Sequence, residues 1–301
     1  MQAEATIEAK RGREAVRTRR SRGPLTRLLR TVRHHPTGTV GGIALLLLVL
    51  MAIGAPIVAP ASPTETHFAA RLKPPSLAHP FGTDDLGRDV LSRVIWGARL
   101  SLSAGILAVT IAVVFGTIVG MISGFYRGTI DTVIMRLTDL FMALPGILLS
   151  MVFIFALGRS LSSVMVAVGL SAIPYYARLA RGSVLAAREQ PYVEAARVLG
   201  ASDRTIMFRH VLPNILAPIL VVATLGLGST ILAIAGLSFL GLGAQPPSAE
   251  WGVIVSDGRS RLQTAWWIST FGGVAIMIAV LAINLLGDGL RDAFDPRLRQ
   301  R

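Results

Sequence analysis

The chain has 301 residues, 52% of them hydrophobic and only 16% charged, with a mean hydropathy of +0.60. An ordinary soluble chain carries about 25% charged residues, so this composition belongs in a membrane. The net charge of +13 would suggest a nucleic-acid binder in a soluble protein, but aromatics at 6% and so little polar surface exclude nucleic acid as an expected partner. The absence of cysteine excludes disulfide frameworks, thiolate metal sites and thiol catalysis.

Residues 1–38 read as a basic cytoplasmic tail, KRGREAVRTRRSRG followed by the amphipathic LTRLLRTVRHH. Such a tail either merely orients the chain or lies in the anionic headgroup layer of membrane lipid. Beyond it, an uncharged stretch of about 20 residues, rising about 1.5 Å each, is needed to cross about 30 Å of hydrocarbon. The gaps between charged residues supply these stretches: Arg33 to Glu65 leaves 31, Arg99 to Arg127 leaves 27, Asp139 to Arg159 leaves 19 and Arg159 to Arg178 leaves 18. Further on, Arg209 to Glu250 leaves 40 and Arg261 to Asp288 leaves 26. Six crossings follow, and the expected fold is an all-α integral membrane protein.

The boundaries read as a first transmembrane helix at 39–59, an extracytoplasmic segment at 60–98, a five-helix core at 99–287 and a cytoplasmic tail at 288–301. The core includes a cytoplasmic loop at 184–212 and an extracytoplasmic segment at 238–265. The first span is expected to stay in the mature chain, because its apolar run and the basic region before it are longer than those of a signal peptide. In the long fifth gap, a helix from about Pro213 is followed by GLSFLGLGAQPP (236–247), too short and too rich in Gly and Pro for another span, which reads as re-entrant or surface structure. With the N-terminus inside, 22 of the 30 Lys and Arg residues fall on cytoplasmic segments, so both termini are expected in the cytoplasm.

Within the spans, Gly116, Gly120 and Gly124 recur every four residues and mark a face for close helix packing. Pro145 and Pro174 are expected to break the third and fourth spans near their middles. Arg136 and Asp139, three apart at the inner end of the third span, are expected to pair with each other. Outside, Asp84, Asp85 and Asp89 lack the ligand spacing of a calcium loop, so the segment either docks a partner or braces the outer mouth.

The one sizeable inner loop is helical in pattern. Pro191 opens a short helix, Tyr192 to Leu199, that Gly200 stops. Ser202 caps a second helix in which Ile206, Met207 and Val211 approach the bilayer, and Pro213 begins the next span. Two turns are marginal alone, so the rest of the chain or a partner must hold the short helix.

Glu194-Ala195-Ala196, then Gly200 and, thirteen positions on, Pro213 preceded by Leu212, resembles the EAA loop of permease subunits of ATP-binding-cassette importers. HPFGTDDLGRDVLSRVIWGARLSL (79–102), EAARVLGASDRTIMFRHVLPN (194–214), LSFLGLGAQPPSAEWG (237–252) and NLLGDGLRDAFDPRLR (284–299) extend it to the dipeptide, oligopeptide and nickel transporter branch, in the shorter C form. His210 departs from the general EAA pattern, which has an apolar residue there. The resemblance implies a type I importer permease in the bacterial cytoplasmic membrane, half of a conduit for peptides. It implies a homologous permease as heterodimer partner, two ATPase subunits holding ATP and Mg, and an extracytoplasmic solute-binding protein. Glu194, Ala195, Ala196, Gly200, Leu212 and Pro213 would carry the ATPase coupling. No cofactor or metal is expected in the chain itself, and nickel chelates or other small solutes remain the alternative cargo.

Other classes fit less well. None of the five His lies in a span to act as base for Ser171 or Ser238, and Asp139 and Asp288 both sit near the inner edge, so an intramembrane hydrolase is not expected. No phosphate-cradling G-x-x-x-x-G-K-[ST] loop exists, so ATP hydrolysis is not expected here. The spans also lack the midplane charges of an ion-coupled carrier.

Overall fold

A computed structural model describes residues 36–294. The tail expected over 1–38 therefore lies outside the described residues except for its last three, as does the end of the C-terminal segment.

Among the described residues, five helices are long and apolar enough to cross a membrane: α1 (Pro36–Ile53), α3 (Val90–Tyr126), α6 (Leu161–Arg188), α8 (Asp203–Phe239) and α10 (Trp267–Phe294). A bent pair, α4 (Gly128–Met142) and α5 (Gly146–Leu157), which meet at 93°, gives a sixth candidate crossing when the pair is taken as one span. Short helices complete the chain: α2 (Ala55–Val58), α7 (Pro191–Val198) and α9 (Trp251–Gly258). No strand occurs among the described residues; a single antiparallel bridge joins Thr83 and Asp89.

Local chemistry sets most of the ends. Asp89 caps α3, its carboxylate accepting from Ser92 N at 2.7 Å, and Ser160 caps α6 through Ser163 N at 3.0 Å. The bend between α4 and α5 spans Ala143 to Pro145, with Pro145 at the N-cap of α5. Pro145 thus sits at the break near the middle of the pair, as expected, because the residue before a proline disfavours helical geometry. Pro174, by contrast, is buried inside α6.

Three buried clusters hold the helices together. One joins the ends of α3 and α6 and the start of α8 to α7 through Phe125, Val184, Val193 and Ile206. Another packs α1, α3, α9 and α10 around Trp251, Ile254 and Ile283. The third fixes α5 against α3, α6 and α8 through Ile154, Val164 and Leu237. The most extensive helix pairing is α3 with α6. Along it, a Cβ on Gly116 would lie 2.6 Å from Tyr176 Cβ, one on Gly120 2.7 Å from Ala180 Cβ and one on Gly124 2.9 Å from the Arg181 carbonyl oxygen. Only glycine allows this separation. On α1, Gly38 meets Gly289 of α10 backbone to backbone, while Val40, Ile43, Leu47 and Leu50 face outward as a lipid-facing stripe requires.

Three helices run past their expected limits. α3 starts nine residues before Arg99 and takes in Arg93, and α10 continues through Asp288. α8 begins at Asp203, ten residues before Pro213, and winds as a π-helix over Ile206–Val211.

Candidate functional site

The loop between α6 and α8 forms a small, well-terminated structure. α7 begins with Pro191 at its first position, where the missing N–H costs nothing, and carries Glu194 in its first turn. It ends in a double closure: Gly200 N donates to Arg197 O and Ala201 N to Ala196 O, both at 3.0 Å. Gly200 sits at φ +80°, where a side chain costs about 1–2 kcal/mol. Ser202 then caps α8, accepting from Thr205 N at 3.4 Å.

The two faces of α7 differ sharply. Val193 and Ala196 are buried in the same cluster as Ile206, Met207 and Val211. These last three therefore face the protein interior and not the bilayer, because they close over the inner side of α7. Glu194, Ala195 and Arg197 face outward, and Val198 and Leu199 end the helix 82% and 85% exposed. Of the two alanines, only Ala195 is left open to a partner. Leu212 packs half-buried against the cluster and Pro213 is exposed. Braces tie the loop to the end of α3: Arg188 donates to the Phe125 carbonyl and lies over its ring, and Arg127 pairs with Glu189 at 2.6 Å.

A groove of about 520 Å³ runs between α4 and α6, lined by Asp131, Thr132, Met135, Arg136, Asp139, Arg178 and Arg181. Arg181 binds Asp131 through two nitrogens, both at 2.6 Å, and Ser123 donates to the same carboxylate. Asp139 pairs with Arg178 of α6 and not with Arg136. The expected i, i+3 pair is replaced because packing of α4 on α6 brings a guanidinium to Asp139 from the neighbouring helix.

The opposite end of the bundle holds a buried ionic box that the sequence reading did not assemble. Arg93, fully buried in α3, reaches Asp84 at 2.7 Å and Asp257 of α9 at 2.9 Å. Arg88 reaches the same two carboxylates at 2.6 and 3.3 Å. Two cations and two anions share the site, so each charge is compensated. The loop holding Asp84 is pinned further by His79 to Asp89 at 3.0 Å and by Trp267 Nε1 donating to Thr83 O at 3.0 Å. Beside the box, Glu250 caps α9 through Val253 N at 3.1 Å and accepts from Ser101 Oγ at 3.2 Å. Burial pushes its carboxyl above the usual range, and backbone and hydroxyl donors only partly offset this. The one available signal for the box was three Asp and one Arg crowded into the turns of TDDLGRD, with Arg93 four residues on.

Among the described residues, no group of three or more His, Asp or Glu converges as a metal site would require.

Comparison with known proteins gives concordant matches. Residues 113–300 match the family described as binding-protein-dependent transport system inner membrane component, and residues 23–75 match the N-terminal TM domain of oligopeptide transport permease C. The chain is 44% identical to the dipeptide transport system permease protein DppC of Alkalihalophilus pseudofirmus, over 92% of this chain and 91% of that protein. It is 43% identical to the glutathione transport system permease protein GsiD of Pectobacterium atrosepticum, over 90% of each. Its fold is similar to a chain of the inward-facing MetNI methionine ABC transporter, with a TM-score of 0.56, 21% identity, and 67% of this chain and 97% of that one covered.

Proposed function

The chain belongs to the family of inner membrane components of binding-protein-dependent transport systems, as a multi-pass membrane permease subunit, and on that footing we propose that it imports peptides across the bacterial cytoplasmic membrane. The observation that carries the substrate class is the match, across nearly the whole of both chains, to relatives named for dipeptide and glutathione transport. The working unit is this chain, a second homologous permease, a solute-binding protein outside, and two ATPase subunits inside that hold ATP and Mg. Both termini lie in the cytoplasm, where the excess of Lys and Arg holds the inner segments.

Coupling runs through α7. Its outward side, Glu194, Ala195, Val198 and Leu199, enters a cleft of the ATPase subunit, with Ala195 permitting close approach and Gly200 turning the chain back out. The inward side, Val193 and Ala196, shares a buried cluster with the π-wound start of α8. A packed interior transmits a push rather than absorbing it, so displacement of α7 shifts α8 and with it the conduit.

The test is replacement of Glu194 or Gly200 in the assembled complex, reading solute-stimulated ATPase activity and uptake together. Loss of both at unchanged expression is expected. Normal values for both would refute the coupling role.

A further inference from the structure

The groove between α4 and α6 has no part in that scheme. Ionisable side chains in or near a span are costly unless they face a cavity or a partner. Yet Asp131, Arg136, Asp139, Arg178 and Arg181 all line this one open groove. They fall into two kinds. Asp131 is saturated by Arg181 and Ser123, and its side chain is only 15% exposed. Asp139 and Arg178 pair with side chains 53% and 50% exposed, and an ion pair so open to water contributes little and exchanges partners readily. Arg136 adds a further exposed cation with no ion-pair partner among the described residues. The volume of about 520 Å³ lies within the roughly 300–1,000 Å³ of small-ligand sites.

We propose that this groove binds a zwitterion, with Asp139 taking the α-ammonium group of a short peptide and Arg178 and Arg136 its α-carboxylate. The Asp139–Arg178 pair then stands in for the ligand when the groove is empty. Each partner trades one counter-charge for another, so no charge is left bare at any stage. Recognition by the terminal charges alone is indifferent to side chains, as a conduit for varied peptides requires. The inference rests on the peptide-permease reading of the chain.

The chain has no cysteine, so a single Met135→Cys or Thr132→Cys gives one label site on it. In the assembled complex in nanodiscs, alkylation of that residue is followed by mass spectrometry with dialanine or N-acetyl-dialanine amide. Peptide uptake is measured on the same complex in vesicles. Dialanine at about ten times its dissociation constant should slow labelling about ten-fold, and the blocked peptide should not. Asp139→Asn and Arg178→Gln should each abolish the protection. Absence of protection at both cysteines, equal protection by the blocked peptide, or protection that follows phosphatidylethanolamine content instead of peptide would each overturn the site. Protection without uptake would keep the site and overturn the peptide-import reading.

Discussion

Replacing Gly120 by alanine tests the α3–α6 interface directly. The added Cβ would lie 2.7 Å from Ala180 Cβ and 2.9 Å from Arg181 N, and nearer still to the Ala177 carbonyl oxygen. Carbon contacts relax at about 3.5–4.0 Å, so the two helices must part by roughly 1 Å. Two of the obstacles are backbone atoms in a helix interior and have no rotamer to change. Overpacking of this kind costs about 1–3 kcal/mol, while alanine regains up to about 1 kcal/mol of helix propensity over glycine. A net loss of about 1–2 kcal/mol lowers the melting temperature by about 3–6 °C. Gly182→Ala on α6 is the internal control, because nothing lies within 4 Å of its built Cβ. It should leave the melting temperature unchanged or raise it by a few degrees. The assay is a fluorescence-detected melt of the purified complex in detergent, all three proteins side by side. If Gly120→Ala melts at or above wild type, the close approach of α3 and α6 is refuted.

The ionic box gives a larger effect: Arg93→Ala leaves Asp84 buried against a single remaining cation and should cost about 3–5 kcal/mol, read as loss of folded protein in detergent extracts. Asp257→Asn should cost less, because the Asp257 side chain is 24% exposed and water can replace part of its role. For Glu250 the sign follows from its raised carboxyl: between the unfolded value of 4.5 and the higher folded one, the folded state holds a proton that the unfolded state has released. Stability should therefore rise as pH falls through the folded value and change no further below 4.5, and Glu250→Gln should flatten the difference between melts at pH 5 and pH 8. On α7, Val198→Asp with Leu199→Asp alters only exposed side chains, so the melt should hold while solute-stimulated ATPase activity falls about ten-fold or more, as loss of an interface anchor does. A normal ATPase response would show that the ATPase subunit does not grip this tip.

Much of the architecture is legible in the spacing of charges, because an unpaired charge is too costly to leave in hydrocarbon and so brackets each crossing. The rule misplaces ends wherever a charge is compensated from far along the chain. Arg93 falls inside α3 because Asp84 and Asp257 neutralise it, the latter 164 residues away. Asp131 and Asp139 ride on α4 because Arg181 and Arg178 come to them from α6. The bend of 93° within the uncharged gap from Asp139 to Arg159 is legible, because it falls at Pro145. In the loop between α6 and α8, the limits of α7 are local, set by Pro191 and Gly200, and are legible. Which side of α7 is buried is not, since it depends on Ile206, Met207 and Val211 folding back over it.

The sequence by itself determined that the chain is a helical membrane protein of several crossings, where the short helix α7 starts and stops, and that the glycines of α3 share one face. These follow from hydrophobic run length, helix period and capping, all of which act over a few residues. Only the tertiary structure decided that those glycines meet α6, that Ala195 and not Ala196 faces outward, and that oppositely charged residues gather in a buried box at one end and an open groove at the other. The reason is physical: which charge meets which, and which side of a helix is covered, depend on neighbours brought together by packing and not on neighbours in the chain.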